Sequence, residues 1–137
     1  MTSVPPASFA GQRFLVVDDT EELAEILTFV LTREGALVEV ASDGHRAVAR
    51  AAEESFDVIL MDVGLPGIDG LEACRRITAE RDTVVVMLSA RDAPADRAAG
   101  TAAGAAGYLA KPFTPRALVE GLREILRPAD EAGVAGD

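Results

Sequence analysis

Three aspartates, a serine and a lysine stand where apolar runs stop. "RFLVVDD" (13–19) ends in Asp18 and Asp19, and "DVILMD" (57–62) ends in Asp62. "TVVVMLSA" (83–90) carries Ser89 near its end, and "GYLAK" (107–111) ends in Lys111. If these runs lie side by side and point the same way, three carboxylates, a hydroxyl and an ammonium meet at one edge. Crowded carboxylates repel, and a hard divalent cation relieves that repulsion through the oxygen ligands that Mg²⁺ prefers. A carboxylate beside such a cation and an ammonium is a nucleophile toward phosphorus, and the product is an aspartyl-phosphate. Ser89 and Lys111 could then each contact a phosphoryl oxygen. Taken singly, each residue has a plainer reading: Asp18 and Asp19 as helix N-caps, Asp62 as a turn former ahead of Pro66, Ser89 as a strand-end hydroxyl, Lys111 as a solvated charge. Their joint placement favours the chemical reading.

The elements that position these residues follow from periodicity. Short apolar runs at 13–19, 36–41, 57–61, 83–90 and 107–111 read as strands buried on both faces. Between the first two, Leu23, Ile26, Leu27, Val30 and Leu31 form one helical stripe. Asp19 with Glu22 suits an N-cap and capping box there, and Gly35 suits the residue just past the helix end. Further helices read at 44–55, 70–81 and 114–127, the last with Thr114 as N-cap and Pro115 in its first turn. Its stripe is Leu118, Val119, Leu122, Ile125 and Leu126. Strands alternating with helices imply βαβ units with right-handed crossovers. The fold class is α/β: a doubly wound, five-stranded parallel sheet of order 2-1-3-4-5. Ligands of such sheets sit at the carboxyl ends, between strands 1 and 3.

Composition bounds the function. The chain has 137 residues, enough for one domain, with 49% hydrophobic residues to build a core. Its net charge of −10 argues against direct nucleic-acid binding, which needs clustered Lys and Arg. No apolar run approaches the ~20 residues of a membrane span, and the start, "MTSVPPASFAGQ", does not read as a signal peptide. The single cysteine, Cys74, excludes an internal disulfide framework and reads as a packed core thiol. His45, the sole histidine, reads as a surface residue. The expected location is cytoplasmic. Residues 1–11 are expected to be a flexible start, 12–127 the domain, and 128–137 a linker-like tail.

Four motifs in order, "VVDD", "MDVGLPGIDG", "MLSA" and "YLAKPF", resemble the receiver domain of bacterial two-component response regulators, over roughly residues 12–127. The resemblance implies a flavodoxin-like (βα)5 fold and a signalling switch that catalyses only its own phosphorylation and dephosphorylation. It implies Asp62 as phospho-acceptor, Asp19 and Asp62 as direct Mg²⁺ ligands, Asp18 holding the ion largely through water, and the backbone carbonyl of Gly64 as a further ligand. Ser89 resembles the switch hydroxyl, Lys111 its phosphate-pairing partner, and Tyr108 the aromatic that flips between exposed and buried positions. A cis Lys111–Pro112 bond is implied as well. The implied partners are a sensor histidine kinase or a histidine phosphotransfer protein, with an output domain or effector downstream. The cognate kinase, the output, a phosphorylation-dependent homodimer, and the choice between stand-alone receiver and fragment stay open.

The chain also departs from the family pattern. It reads "GAAGY" before the strand-5 lysine, where an acidic pair such as "GADDY" is common, and Gly64 offers no side chain beside Asp62. Arg91 is expected to take up part of that shielding. A Mg²⁺-dependent phosphatase of haloacid-dehalogenase type is the second reading, although it needs an acid at position 64. A non-phosphorylated pseudo-receiver interaction module is the third. In "RDAPADRAAGTAAGAAGY" Pro94 marks a helix start with Asp92 or Ala93 before it. No Leu, Ile, Val or Phe falls between 92 and 107, and Gly100 and Gly104 interrupt the alanines. This helix is expected to be the least stable unit, with Gly100→Ala slowing its amide exchange.

Overall fold

The computed structural model describes residues 8–91 and 93–127. Five strands alternate with five helices: β1 (Arg13–Val17), α1 (Glu21–Arg33), β2 (Leu37–Ala41), α2 (Gly44–Glu53), β3 (Val58–Asp62), α3 (Gly70–Glu80), β4 (Val84–Ser89), α4 (Pro94–Ala102), β5 (Gly107–Ala110) and α5 (Pro115–Ile125). The sheet is parallel throughout, in the order β2-β1-β3-β4-β5. This is the doubly wound flavodoxin-like topology that the alternation predicts.

Both faces of the sheet are covered, which is why its strands read as continuous apolar runs. Leu15, Val17, Ile59, Met61, Val85 and Met87 face one layer with Ala47, Ala51, Ala73, Cys74 and Ile77 of α2 and α3. Phe14, Val16, Val58, Leu60, Val86 and Leu88 face the other, with Leu27 and Leu31 of α1 and Leu118 and Leu122 of α5. Cys74 is fully buried, and burial pushes its thiol up to about 11, so it is an inert core residue. His45 is exposed at the start of α2.

Local signals set the helix ends. Asp43, Asp69 and Thr114 accept from the third N–H beyond them and cap α2, α3 and α5. Gly35 closes α1 at φ 91°: its N–H donates to the Thr32 carbonyl and that of Ala36 to the Leu31 carbonyl.

Four readings change. The N-cap of α1 is Thr20, and no side chain caps it, so the expected Asp19–Glu22 capping box is absent. Asp19 belongs instead to the acidic cluster beyond β1. Ile26, assigned to the buried stripe, is 45% exposed because it lies at the margin of the α1 face. Part of the start expected over 1–11 to be flexible is packed. Phe9 is buried against Phe14 at 5.2 Å, and its N–H donates to the Glu34 carbonyl. Residues 1–7 and the expected tail, 128–137, lie outside the described residues. Finally, Gly104 does not interrupt α4 but closes it, at φ 103°, in the same bonding pattern as Gly35. The cap before Pro94 is Ala93; Asp92 lies outside the described residues.

Candidate functional site

Because every strand runs the same way, the predicted chemical residues collect at one edge. Asp18 and Asp19 follow β1, Asp62 ends β3, Ser89 ends β4, and Lys111 follows β5. One oxygen from each of Asp18, Asp19 and Asp62 lies within 4.8 Å of the others. The Lys111 ammonium stands 3.5 Å from Asp18 Oδ2 and 3.5 Å from Asp62 Oδ1. All five residues singled out for chemistry thus share one edge, and the Lys111–Pro112 bond is cis as the resemblance implies.

Asp18, Asp62 and Ser89 are each held by a backbone N–H. Asp18 is 2% exposed; its Oδ1 accepts from the Thr20 N–H at 2.8 Å. Its Oδ2 is buried with no hydrogen-bond partner. Buried carboxylate oxygens are almost always hydrogen-bonded, so one that has only the Lys111 ammonium at 3.5 Å, beside two more carboxylates, has capacity for a further ligand. Asp62 Oδ1 accepts from the Gly64 N–H at 3.2 Å. Ser89 is buried, and its Oγ accepts from the Arg91 N–H at 3.0 Å. The donor set is three carboxylates. These are hard oxygens that fit a divalent cation such as Mg²⁺ and offer nothing for a thiophilic metal.

Two residues near the site carry roles that the sequence did not reveal. A Cβ on Gly70 would sit 2.2 Å from the Asp62 carbonyl oxygen, so the first turn of α3 closes on the end of β3 only because residue 70 is glycine. The motif "MDVGLPGIDG" contained it, but nothing local distinguishes it from the turn glycines Gly64 and Gly67. Arg91 was expected to shield Asp62 through its side chain. It is exposed, and its described hydrogen bonds are backbone ones: its N–H to Ser89 Oγ and its carbonyl from the Tyr108 hydroxyl. Gly64 is exposed, with nothing within 4 Å of where a Cβ would lie, so this side of Asp62 is open.

Residues 14–123 match the family described as the response regulator receiver domain. The chain belongs to this family. The receiver is 38% identical over 119 residues to the transcriptional regulatory protein ResD of Bacillus subtilis (strain 168), covering 87% of this chain and 50% of that one. It therefore spans about half the length of this curated relative. Its fold matches the chemotaxis protein CheY4 of Vibrio cholerae with a TM-score of 0.81 at 34% identity, covering 85% of this chain and all of that one. A response regulator structure from Chloroflexus aurantiacus J-10-fl matches at 36% identity and a TM-score of 0.77, covering 85% and 98%. As a receiver, this domain is a signalling switch. No helix among the described residues is long and apolar enough to cross a membrane.

Proposed function

We propose that Asp62 accepts a phosphoryl group from a phosphohistidine on a partner protein, with Mg²⁺ bound beside it, and that the domain speeds this transfer and the later hydrolysis. The observation that carries the reading is the Lys111 ammonium lying equidistant, at 3.5 Å, from Asp18 and Asp62 within the three-carboxylate cluster. Asp19 and Asp62 would ligate the ion directly, Asp18 would hold it largely through water, and the Gly64 carbonyl would complete the protein's share. When bound, the ion neutralises charge on the phosphoryl oxygens. An Asp62 oxygen bonds to phosphorus as the phosphorus–nitrogen bond to the donor imidazole breaks. The imidazole leaves with that electron pair. Lys111 pairs with one phosphoryl oxygen, and Ser89 turns its hydroxyl from the Arg91 N–H toward another. Tyr108, bonded to the same residue's carbonyl, moves with it. The helix–strand–helix face of α4, β5 and α5 then changes, biasing an output domain or effector.

The donor is a sensor histidine kinase or histidine phosphotransfer protein, acting in the cytoplasm. An apolar groove of about 430 Å³ supports its docking beside the site: Leu23, Ile26 and Val30 of α1 line it together with Lys111, Phe113 and Pro115. The domain of 12–127 is the functional unit of this reading. Nothing favours the phosphatase or the pseudo-receiver: residue 64 carries no acid, and every site residue is present. Incubation with Mg²⁺ and acetyl phosphate, followed by intact mass measurement, tests the proposal. One base-labile phosphoryl adduct is expected, absent in Asp62→Asn. An adduct that persists in Asp62→Asn, or none in the unaltered protein, refutes it.

A further inference from the structure

α4 contributes almost nothing of its own to the core. Its sequence, PADRAAGTA, holds a single buried residue, Gly100. A helix normally docks by an apolar stripe, and this one has only methyl groups and a bare backbone to offer. What lies against it is Tyr108 of β5. A Cβ on Gly100 would fall 3.3 Å from Tyr108 Cδ2 and 3.6 Å from Cε2, with Met87 Cγ at 3.5 Å, so the ring lies in close contact with the helix backbone at this point. The ring is half-buried and packs against the core cluster that includes Met87 and Ala103.

Three groups hold the ring there. Its hydroxyl donates to the Arg91 carbonyl. Gly100 receives its edge. The Arg97 guanidinium stands 5.1 Å from the ring centroid and reaches the Tyr108 carbonyl at 3.5 Å. Arg97 forms no ion pair among the described residues, so its charge is directed at this ring.

We propose that Arg97 is the positioning residue for Tyr108, and that the aromatic ring it clamps is the main contact docking α4 on the sheet. Displacing the ring therefore loosens α4 in the same step, and Arg97 sets how readily that happens. This role in switching rests on the phospho-acceptor reading above, whereas the clamp itself exists without phosphate.

The chain contains one tyrosine and no tryptophan, so tyrosine ring resonances report Tyr108 alone. With ring-labelled tyrosine and amide exchange in the unphosphorylated protein, Arg97→Gln should move the ring resonances. It should also speed exchange over 94–102 by roughly two- to fivefold, the factor a surface cation–π contact corresponds to, while α1 and α5 keep their protection. Arg97→Lys, which keeps a cation, should recover part of both effects. Gly100→Ala should shift the ring resonances too, because the new methyl group would press on Tyr108 Cδ2 at 3.3 Å. Unmoved ring resonances in Arg97→Gln overturn the proposal, even if exchange changes. Unchanged exchange over 94–102 with a displaced ring overturns the docking role. Acetyl phosphate labelling of Asp62 should be undiminished in Arg97→Gln. Its failure in the unaltered protein would count against the phospho-acceptor reading and leave the clamp measurements standing.

Discussion

Lys111 and Asp18 face each other at 3.5 Å, and Asp18 is the carboxylate with a fully buried side chain and an oxygen that nothing else satisfies. Among the described residues, Lys111 is the cation paired with the acidic cluster. Lys111→Ala should therefore destabilise the metal-free protein by about 1–3 kcal/mol, the cost of leaving a buried acceptor without its partner. Mg²⁺ affinity should not fall, because the ammonium is not a ligand and its removal leaves more negative charge. Denaturant titrations with and without Mg²⁺ measure both quantities. Weaker Mg²⁺ binding in the variant would contradict the assignment.

Mg²⁺ alone should stabilise the domain. A ligand that binds only the native state at a hundredfold excess over its Kd contributes about 2.7 kcal/mol. Asp19 is exposed and caps no helix, so Asp19→Ala should keep the fold and lose this gain. Thermal melts with Mg²⁺ and then with excess chelator read the effect. A melting temperature indifferent to millimolar Mg²⁺ in the unaltered protein would end the idea.

Gly70→Ala should be more damaging than its size suggests. Its methyl carbon has no room beside the Asp62 carbonyl, so α3 or the end of β3 must shift. A loss of more than about 2 kcal/mol is expected, together with weaker Mg²⁺ binding, as in other overpacked sites. Gly64→Ala, in open space, serves as the control and should change stability by less than about 0.5 kcal/mol.

Acid should weaken a cluster away from the site. Arg50 and Arg13 both bond Glu54, and they hold its carboxyl below the usual value of about 4.5. Both guanidiniums also lie over the Phe56 ring, at 6.0 and 4.9 Å. A carboxyl depressed in the folded state contributes stability that is present above its unfolded value and lost as pH falls through the folded one. Below about pH 4.5 the melting temperature should fall, and Glu54→Gln should flatten part of that slope. An unchanged acid limb in the variant would show that the pairing contributes nothing.

The sequence by itself determined the elements, their order and the residues at the strand ends. Strands buried on both faces must be apolar throughout, and helices with one buried face must repeat every three to four residues. Both patterns are local, so "FLVV", "VILM" and "VVVML" announce the sheet, and parallel order then sends Asp18, Asp62, Ser89 and Lys111 to one edge. Tertiary structure alone decided what depends on distances between residues far apart in the chain. That Phe9 joins the core, that Asp19 faces the acidic cluster instead of capping α1, and that Gly70 must admit the Asp62 carbonyl leave no periodic trace. The same holds for α4: its alanines and glycines predict a weak helix, while the ring of Tyr108 over Gly100 and the charge of Arg97 over that ring arise only when β5 is laid beside it. Periodicity encodes which side of an element is buried; what fills the space against it is set by packing between elements.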